Sequence, residues 1–272
     1  MVRNPAPHPL AFIITTSPSF RFGSRWLSVE CFVYRRLLEA FRMSPDLATY
    51  DFFAKQKHEA FYHSLDAITN LLTARDTWND NDVSKLSGLL KLSLWGNKCD
   101  LSISAGTSTS FDSNPLAQID NFQSRLLVDD SQKVVQHCSS HKDAIIDIVM
   151  DNAGFELVTD LCLADYLISS GMAKKYVICE HYIHLNNLIL LLLFFIRIRF
   201  RVKNQPWFVS DTMSSDIDWV LNEMSQGGIN SLQDSNQRPI LIKYYEKWNA
   251  FFDSGMWSVN SDPFWTYPHD FR

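Results

Sequence analysis

An apolar run that stops at an acid–amide pair, Ile145-Ile-Asp-Ile-Val-Met-Asp-Asn-Ala-Gly-Phe-Glu-Leu157, leaves this chain few choices of fold. Ile145, Ile146, Ile148, Val149 and Met150 read as a strand buried on both faces, as in parallel sheets. Asp151 and Asn152 stand at its carboxyl end, Gly154 permits a tight turn, and Phe155–Ser169 reads as a helix. A strand-end carboxylate, an amide and a helix N-terminus thus converge on one point. Hard oxygen ligands there suit a divalent cation, and helix N–H groups suit a phosphate.

A second element repeats the pattern. Pro206-Trp-Phe-Val-Ser-Asp-Thr212 is a short apolar run ending in Asp211, with Trp207–Ser210 read as a strand. Ser214–Met224 then reads as a helix capped by Ser214 or Ser215, with Asp216 and Asp218 in its first turn. Acids from two consecutive β-α crossovers meet at one edge of a sheet. Asp151, Asn152 and Asp211 can there share one metal and leave positions open for substrate oxygen and water. The plainer reading, in which both acids only cap helices, fits the spacing equally well.

These residues resemble a known family. Asp151-Asn-Ala-Gly-Phe-Glu-Leu-Val-Thr-Asp-Leu161, Ser93-Leu-Trp-Gly-Asn-Lys-Cys-Asp-Leu-Ser102 and Pro206-Trp-Phe-Val-Ser-Asp211 are similar to motifs of the damage-control phosphatases. The branch they resemble is the animal and fungal one also called acidic residue methyltransferase 1, the sugar phosphate phosphatases of subfamily III. Trp26-Leu-Ser-Val-Glu-Cys-Phe-Val-Tyr-Arg-Arg36 and Asp262-Pro-Phe-Trp-Thr-Tyr-Pro-His-Asp-Phe271 look like the same family's flanking segments. The resemblance covers residues 20–179 and 203–271. It implies a metal-dependent phosphatase acting on small phosphorylated metabolites such as fructose 1-phosphate, supported by manganese, nickel or cobalt. It also implies, more loosely, protein-glutamate carboxyl methylation with S-adenosylmethionine. Asp151, Asn152 and Asp211 are then the catalytic and metal-binding residues, with Asp151, Asn152, Glu156, Asn97 and Asp100 facing the substrate. The compartment expected is the cytoplasm, with the nucleus as an alternative.

Three departures accompany the match. Met1–Ser19 resembles none of the family's longer helical start, and the family continues past the equivalent of Arg272 through an Asp-Leu-Asn-Tyr-Arg-like loop and an Arg-Thr-x-Lys motif. Glu180–Val202 has no counterpart in the resemblance, and its core, Leu188–Phe200, is the most apolar window of the chain. A spanning helix needs about 20 apolar residues, and this run is shorter and carries Arg197 and Arg199. No stable membrane insertion is expected; a gene-model insert explains the run more simply than a re-entrant or surface segment. The chain as written is therefore expected to bind metal but to hydrolyse sugar phosphates poorly, because the later Arg/Lys loops would hold the rest of the phosphate charge.

The expected architecture is α/β. Residues 1–20 form a non-family segment, 21–135 a helical subdomain, and 140–272 a partial three-layer α/β/α core with a mainly parallel sheet, an insert at 180–202 and truncation at the C-terminus. In the helical part Val29, Phe32, Val33, Leu37 and Phe41 recur at helical spacing, as do stripes in Leu65–Leu72 and Val83–Trp95. Met43–Asp46 and Trp78–Asp82 carry turn chemistry, and the helical stripe before Asn97 ends at Gly96, where Asn97 and Asp100 can cap backbone groups. Gly106–Pro115 lacks a Gly-Lys-Ser/Thr ending and reads as a solvated loop. Tyr176–Cys179 reads as a further strand.

With 272 residues and 46% hydrophobic content the chain can bury a sizeable core, and a net charge of −5 gives no footprint for nucleic acid. Five cysteines without paired spacing suggest free thiols. Met1–Phe20 makes a poor signal peptide. His137, Cys138 and His141 are zinc-capable but lie in what reads as a polar loop without a second pair, and His181 and His184 lie in the insert.

Overall fold

The structure, a computed structural model, describes residues 25–96, 123–140, 145–170, 197–228 and 237–262. The expected strand at Tyr176–Cys179, and the candidate site residues Asn97 and Asp100, lie outside them. The chain divides into two compact units, Met1–Phe52 and Phe53–Arg272, so the division falls within the segment read as one helical subdomain.

The first unit carries helix α1 (Trp26–Arg42), after which Met43–Asp46 turns as its Ser-Pro-Asp chemistry dictates. Phe41 then meets Tyr50 and Phe52 at ring-centre distances of 5.7 and 5.5 Å. The buried residues of α1 are Glu30 and Leu38, whereas Val33 and Leu37 are exposed. Of the predicted apolar stripe, Val29, Phe32 and Phe41 are half-buried, and Val33 and Leu37 face outward.

In the second unit, helices α2 (Ala54–His63), α3 (Leu65–Asp76), α4 (Ser84–Gly96) and α5 (Ser131–Ser140) precede strand β1 (Ile145–Val149) and helix α6 (Phe155–Ser169). Strand β2 (Arg197–Lys203), helices α7 (Ser214–Ser225) and α8 (Arg238–Asp253), and strand β3 (Trp257–Asp262) follow. The three strands pair in the order β1-β2-β3, all parallel, with α6 following β1 and α7 and α8 lying between β2 and β3 in the chain. This is an α/β fold, as expected. His137 and Cys138 lie on α5, so the stretch read as a polar loop is helix, formed on the apolar anchor Val135.

Helix α6 is the centre of the core. From Phe155 to Leu167 no residue is more than 7% exposed. A helix buried all round must pack on every side. It lies against α4 and α3. Each large apolar side chain so enclosed contributes up to about 1.5–3 kcal/mol. Gly96, closing α4, approaches so closely that a Cβ there would sit 2.9 Å from the Cα of Glu156.

The central strand is β2, and it corrects two sequence readings. Arg197–Val202, expected within the insert at 180–202, form this strand with Lys203, and Ile198–Arg201 pair on both sides, with β1 and with β3. Ile198, Phe200 and Val202 alternate inward and are no more than 2% exposed. Phe200 meets Trp257 edge-on at 5.1 Å. On β1, by contrast, Ile145 is 54% and Val149 39% exposed, so β1 is not buried on both faces. The segment Trp207–Ser210, read as a strand, is a turn.

Candidate metal centre

Strand β1 ends at Val149 and delivers Asp151 and Asn152 beyond its carboxyl end. Gly154, at φ 86°, adopts a backbone conformation that favours glycine and turns the chain into α6. The second crossover brings Asp211 to the same place: Asn152 and Asp211 form an isolated antiparallel bridge, and the Ala153 N–H donates to the Ser210 carbonyl at 2.7 Å. The Thr212 N–H donates to the Asp151 carbonyl at 2.8 Å. The acid–amide pair and the second acid, predicted from separate motifs, are therefore neighbours.

A residue that sequence reasoning missed joins them. The Lys203 ammonium donates to Asp151 Oδ1 and to Asp211 Oδ1, both at 2.7 Å. The Lys203 and Asp211 side chains are each 2% exposed, whereas that of Asp151 is 48% exposed and opens the group to solvent. The signal lay in the alternation of β2, whose apolar residues face one way and Arg197, Arg199, Arg201 and Lys203 the other. On that second face Arg199 grips Asp147 of β1 with both Nε and NH2, at 2.7 and 2.6 Å.

Asp211 is held from several sides. Its Oδ2 accepts the Trp207 and Phe208 N–H groups at 2.7 and 2.9 Å, which folds Pro206–Asp211 into a turn rather than a strand. Its carbonyl accepts Lys57 Nζ at 3.3 Å, and Lys57 also donates to Asp216 Oδ2 at 2.6 Å. That carboxylate receives the Met213 N–H at 2.8 Å, so Asp216, not Ser214 or Ser215, secures the start of α7. Burial raises the Asp211 carboxyl above its ordinary pKa, and Lys203 and the two backbone N–H groups pull it back down. For Lys203, burial works against the charge, but Asp211 and then Asp151 more than offset it, and its pKa lies above that of a free lysine.

Behind the pair lies a row of buried acids on α6. Asn152 Nδ2 donates to Glu156 Oε2 at 2.8 Å, while Ser210 Oγ donates to Asn152 Oδ1 at 2.5 Å. The amide is thereby fixed in orientation. Glu156 is 7% exposed; burial, then the neighbouring Asp160, pushes its pKa up to about 9. Asp160 takes a 2.5 Å hydrogen bond from Ser93 Oγ, yet burial still pushes it up to about 7.

This last shift gives a pH prediction. An acid whose pKa is raised on folding is protonated in the native state at a pH where the unfolded chain has lost the proton. Its contribution is intact below about pH 4 and lost as pH rises through about 7. Asp160→Asn keeps an oxygen acceptor for Ser93 without the ionisation. Urea melts are expected to show the variant gaining on the native chain by on the order of a few kcal/mol between pH 4.5 and pH 8. A constant difference across that range would contradict the assignment.

The residues fit a divalent cation. Two carboxylate oxygens already close on one positive nitrogen, and the adjacent Asn152 Oδ1 keeps a second lone pair beyond the one used by Ser210. All three are hard oxygen donors. Among the described residues no three His, Cys, Asp or Glu side chains gather as a cage; the candidate set contains two carboxylates and an amide. Nor, among them, is any helix long and apolar enough to cross a membrane.

Comparison with known proteins identifies the family. A 38% identical relative from Danio rerio, named damage-control phosphatase ARMT1, aligns over 92% of this chain and 52% of its own length. The proteins of the same name from Xenopus tropicalis and Homo sapiens are 35% and 34% identical, over 94% and 92% of this chain and 54% and 53% of theirs. The chain spans about half the length of the curated relatives it matches. The family description "Damage-control phosphatase ARMT1-like domain" matches residues 1–182 and 188–272. That match takes in residues 1–20 and most of 180–202, both of which stood outside the resemblance read from the sequence. With the match extending from the first residue to the last save 183–187, the chain belongs to the damage-control phosphatase ARMT1-like family.

Proposed function

We propose that this chain carries the metal-binding part of a phosphatase that hydrolyses small phosphorylated metabolites such as fructose 1-phosphate. The observation that carries the reading is the convergence of Asp151 and Asp211, from two successive β-α units, on a single buried positive charge. Asp151, Asn152 and Asp211 would hold a divalent ion, Mn2+ or Ni2+ with Co2+ as the third candidate. Such an ion supplies Lewis-acid polarisation of a phosphoryl oxygen. The protein's own groups do the rest. Ser210 and Glu156 fix the Asn152 amide, so its oxygen presents one direction. The N-terminus of α6, behind Gly154, places the positive end of a helix dipole beside the site, where negative charge grows during phosphoryl transfer. The half-exposed Asp151 lies on the solvent side, placed to take a proton from an attacking water.

In a form extended over the full length of its relatives, with Mn2+ and fructose 1-phosphate, Asp151→Ala and Asp211→Ala are each expected to lower phosphate release by at least about a hundredfold relative to the same form unaltered. Unchanged turnover in both variants would refute the assignment.

A further inference from the structure

The position between the two carboxylates is already filled by a cation of the protein's own. Lys203 Nζ lies 2.7 Å from Asp151 Oδ1 and 2.7 Å from Asp211 Oδ1, and its side chain is 2% exposed. Among the described residues the ammonium is compensated by these two carboxylates, to which it donates. Asp211 cannot easily turn away, because its Oδ2 is tied to the Trp207 and Phe208 N–H groups and its carbonyl to Lys57. Asp151 is half-exposed on its outer side, where Asn152 Nδ2 donates to its Oδ2 at 3.4 Å. A divalent ion coming from solvent would therefore meet Asp151 first and the ammonium behind it. Two cations at about 4 Å in a buried, poorly screened place repel strongly. A lysine side chain, flexible over four carbons, can swing out, whereas the carboxylates are fixed to strand ends and a turn.

We propose that Lys203 and a divalent cation are alternative occupants of the Asp151–Asp211 pair: the ammonium holds the unloaded carboxylates together, and metal loading expels it toward solvent. The inference rests on the metal site proposed above. It makes Lys203 a positioning residue that sets metal affinity by competition, not a metal ligand.

Two measurements on the whole chain test it. In the isosteric variant Lys203→Met the competitor is gone, so calorimetric titration with Mn2+ is expected to give a dissociation constant at least about tenfold lower than for the unaltered chain. The Mn2+-induced rise in melting temperature should be larger as well. In the unaltered chain, acetylation of Lys203 by an amine-reactive ester, read by peptide mass spectrometry, is expected to rise severalfold when Mn2+ is added. Equal or weaker Mn2+ binding by folded Lys203→Met would overturn the proposal. So would Lys203 labelling that Mn2+ leaves unchanged, a measurement that also decides the matter if the variant does not fold without metal. Absence of Mn2+ binding by the folded, unaltered chain would overturn the metal-site reading itself, and the competition with it.

Discussion

Asp165→Ala is expected to destabilise the second unit by about 3–5 kcal/mol, enough to unfold a marginally stable domain. Asp165 lies on α6 with its side chain fully buried, and it receives Arg75 Nε from α3 at 3.1 Å and Lys247 Nζ from α8 at 2.5 Å. Arg75 also reaches Asp80 at 2.8 Å and lies over the Tyr166 ring at 5.0 Å. One carboxylate thus compensates two cations where three helices meet. Its loss leaves the Arg75 guanidinium, 4% exposed, with only the partly exposed Asp80. The Lys247 end is partly solvated and adds less. Guanidinium chloride melts of the variant check this, and a loss below about 1 kcal/mol would show that the network is dispensable.

The second large effect is predicted at Lys57. This helix α2 residue is 2% exposed, and it ties the Asp216 carboxylate and the Asp211 carbonyl together. Lys57→Met takes away the ammonium paired with the buried Asp216 carboxylate, and is expected to cost about 3–5 kcal/mol. It also releases the backbone of Asp211, so Mn2+ affinity should fall by about tenfold, as for other residues that orient metal ligands. Pairing the change with Asp216→Leu separates the two effects. The double variant should recover part of the stability, because an apolar pair replaces a buried ion pair but gives up the Asp216 bond to the Met213 N–H, while affinity stays low. Full recovery of affinity in the double variant would show that Lys57 does not position Asp211.

The Asp151–Asn152 pair was legible in the sequence because it is written locally. An apolar strand, an acid–amide step, a glycine and a helix occupy 25 consecutive positions from Ile145 to Ser169, and periodicity alone separates them. Strand β2 was not, because its alternation starts at Arg197, directly after the unbroken apolar stretch Leu188–Ile196, and the whole run read as one foreign insert. The strand at Trp207–Ser210 was misread for a different reason. Its residues have strand propensity, but the Asp211 carboxylate collects their N–H groups, and a local side-chain partner outcompetes a ladder. Lys57 gave no warning at all. In Ala-Lys-Gln-Lys-His-Glu it looks like one more solvated charge, and only a partner 159 residues away makes it a buried one. Val33 and Leu37 err in the opposite direction, apolar at helical spacing yet exposed.

Most direct for the central claim is a calorimetric titration of Mn2+ into the folded chain and into the variants Asp151→Asn and Asp211→Asn, each of which removes one carboxylate charge while keeping side-chain volume. The account predicts one ion bound per chain, with affinity reduced by at least about a hundredfold in each variant. Binding that is absent from the folded native chain, or that persists undiminished in both variants, would contradict it.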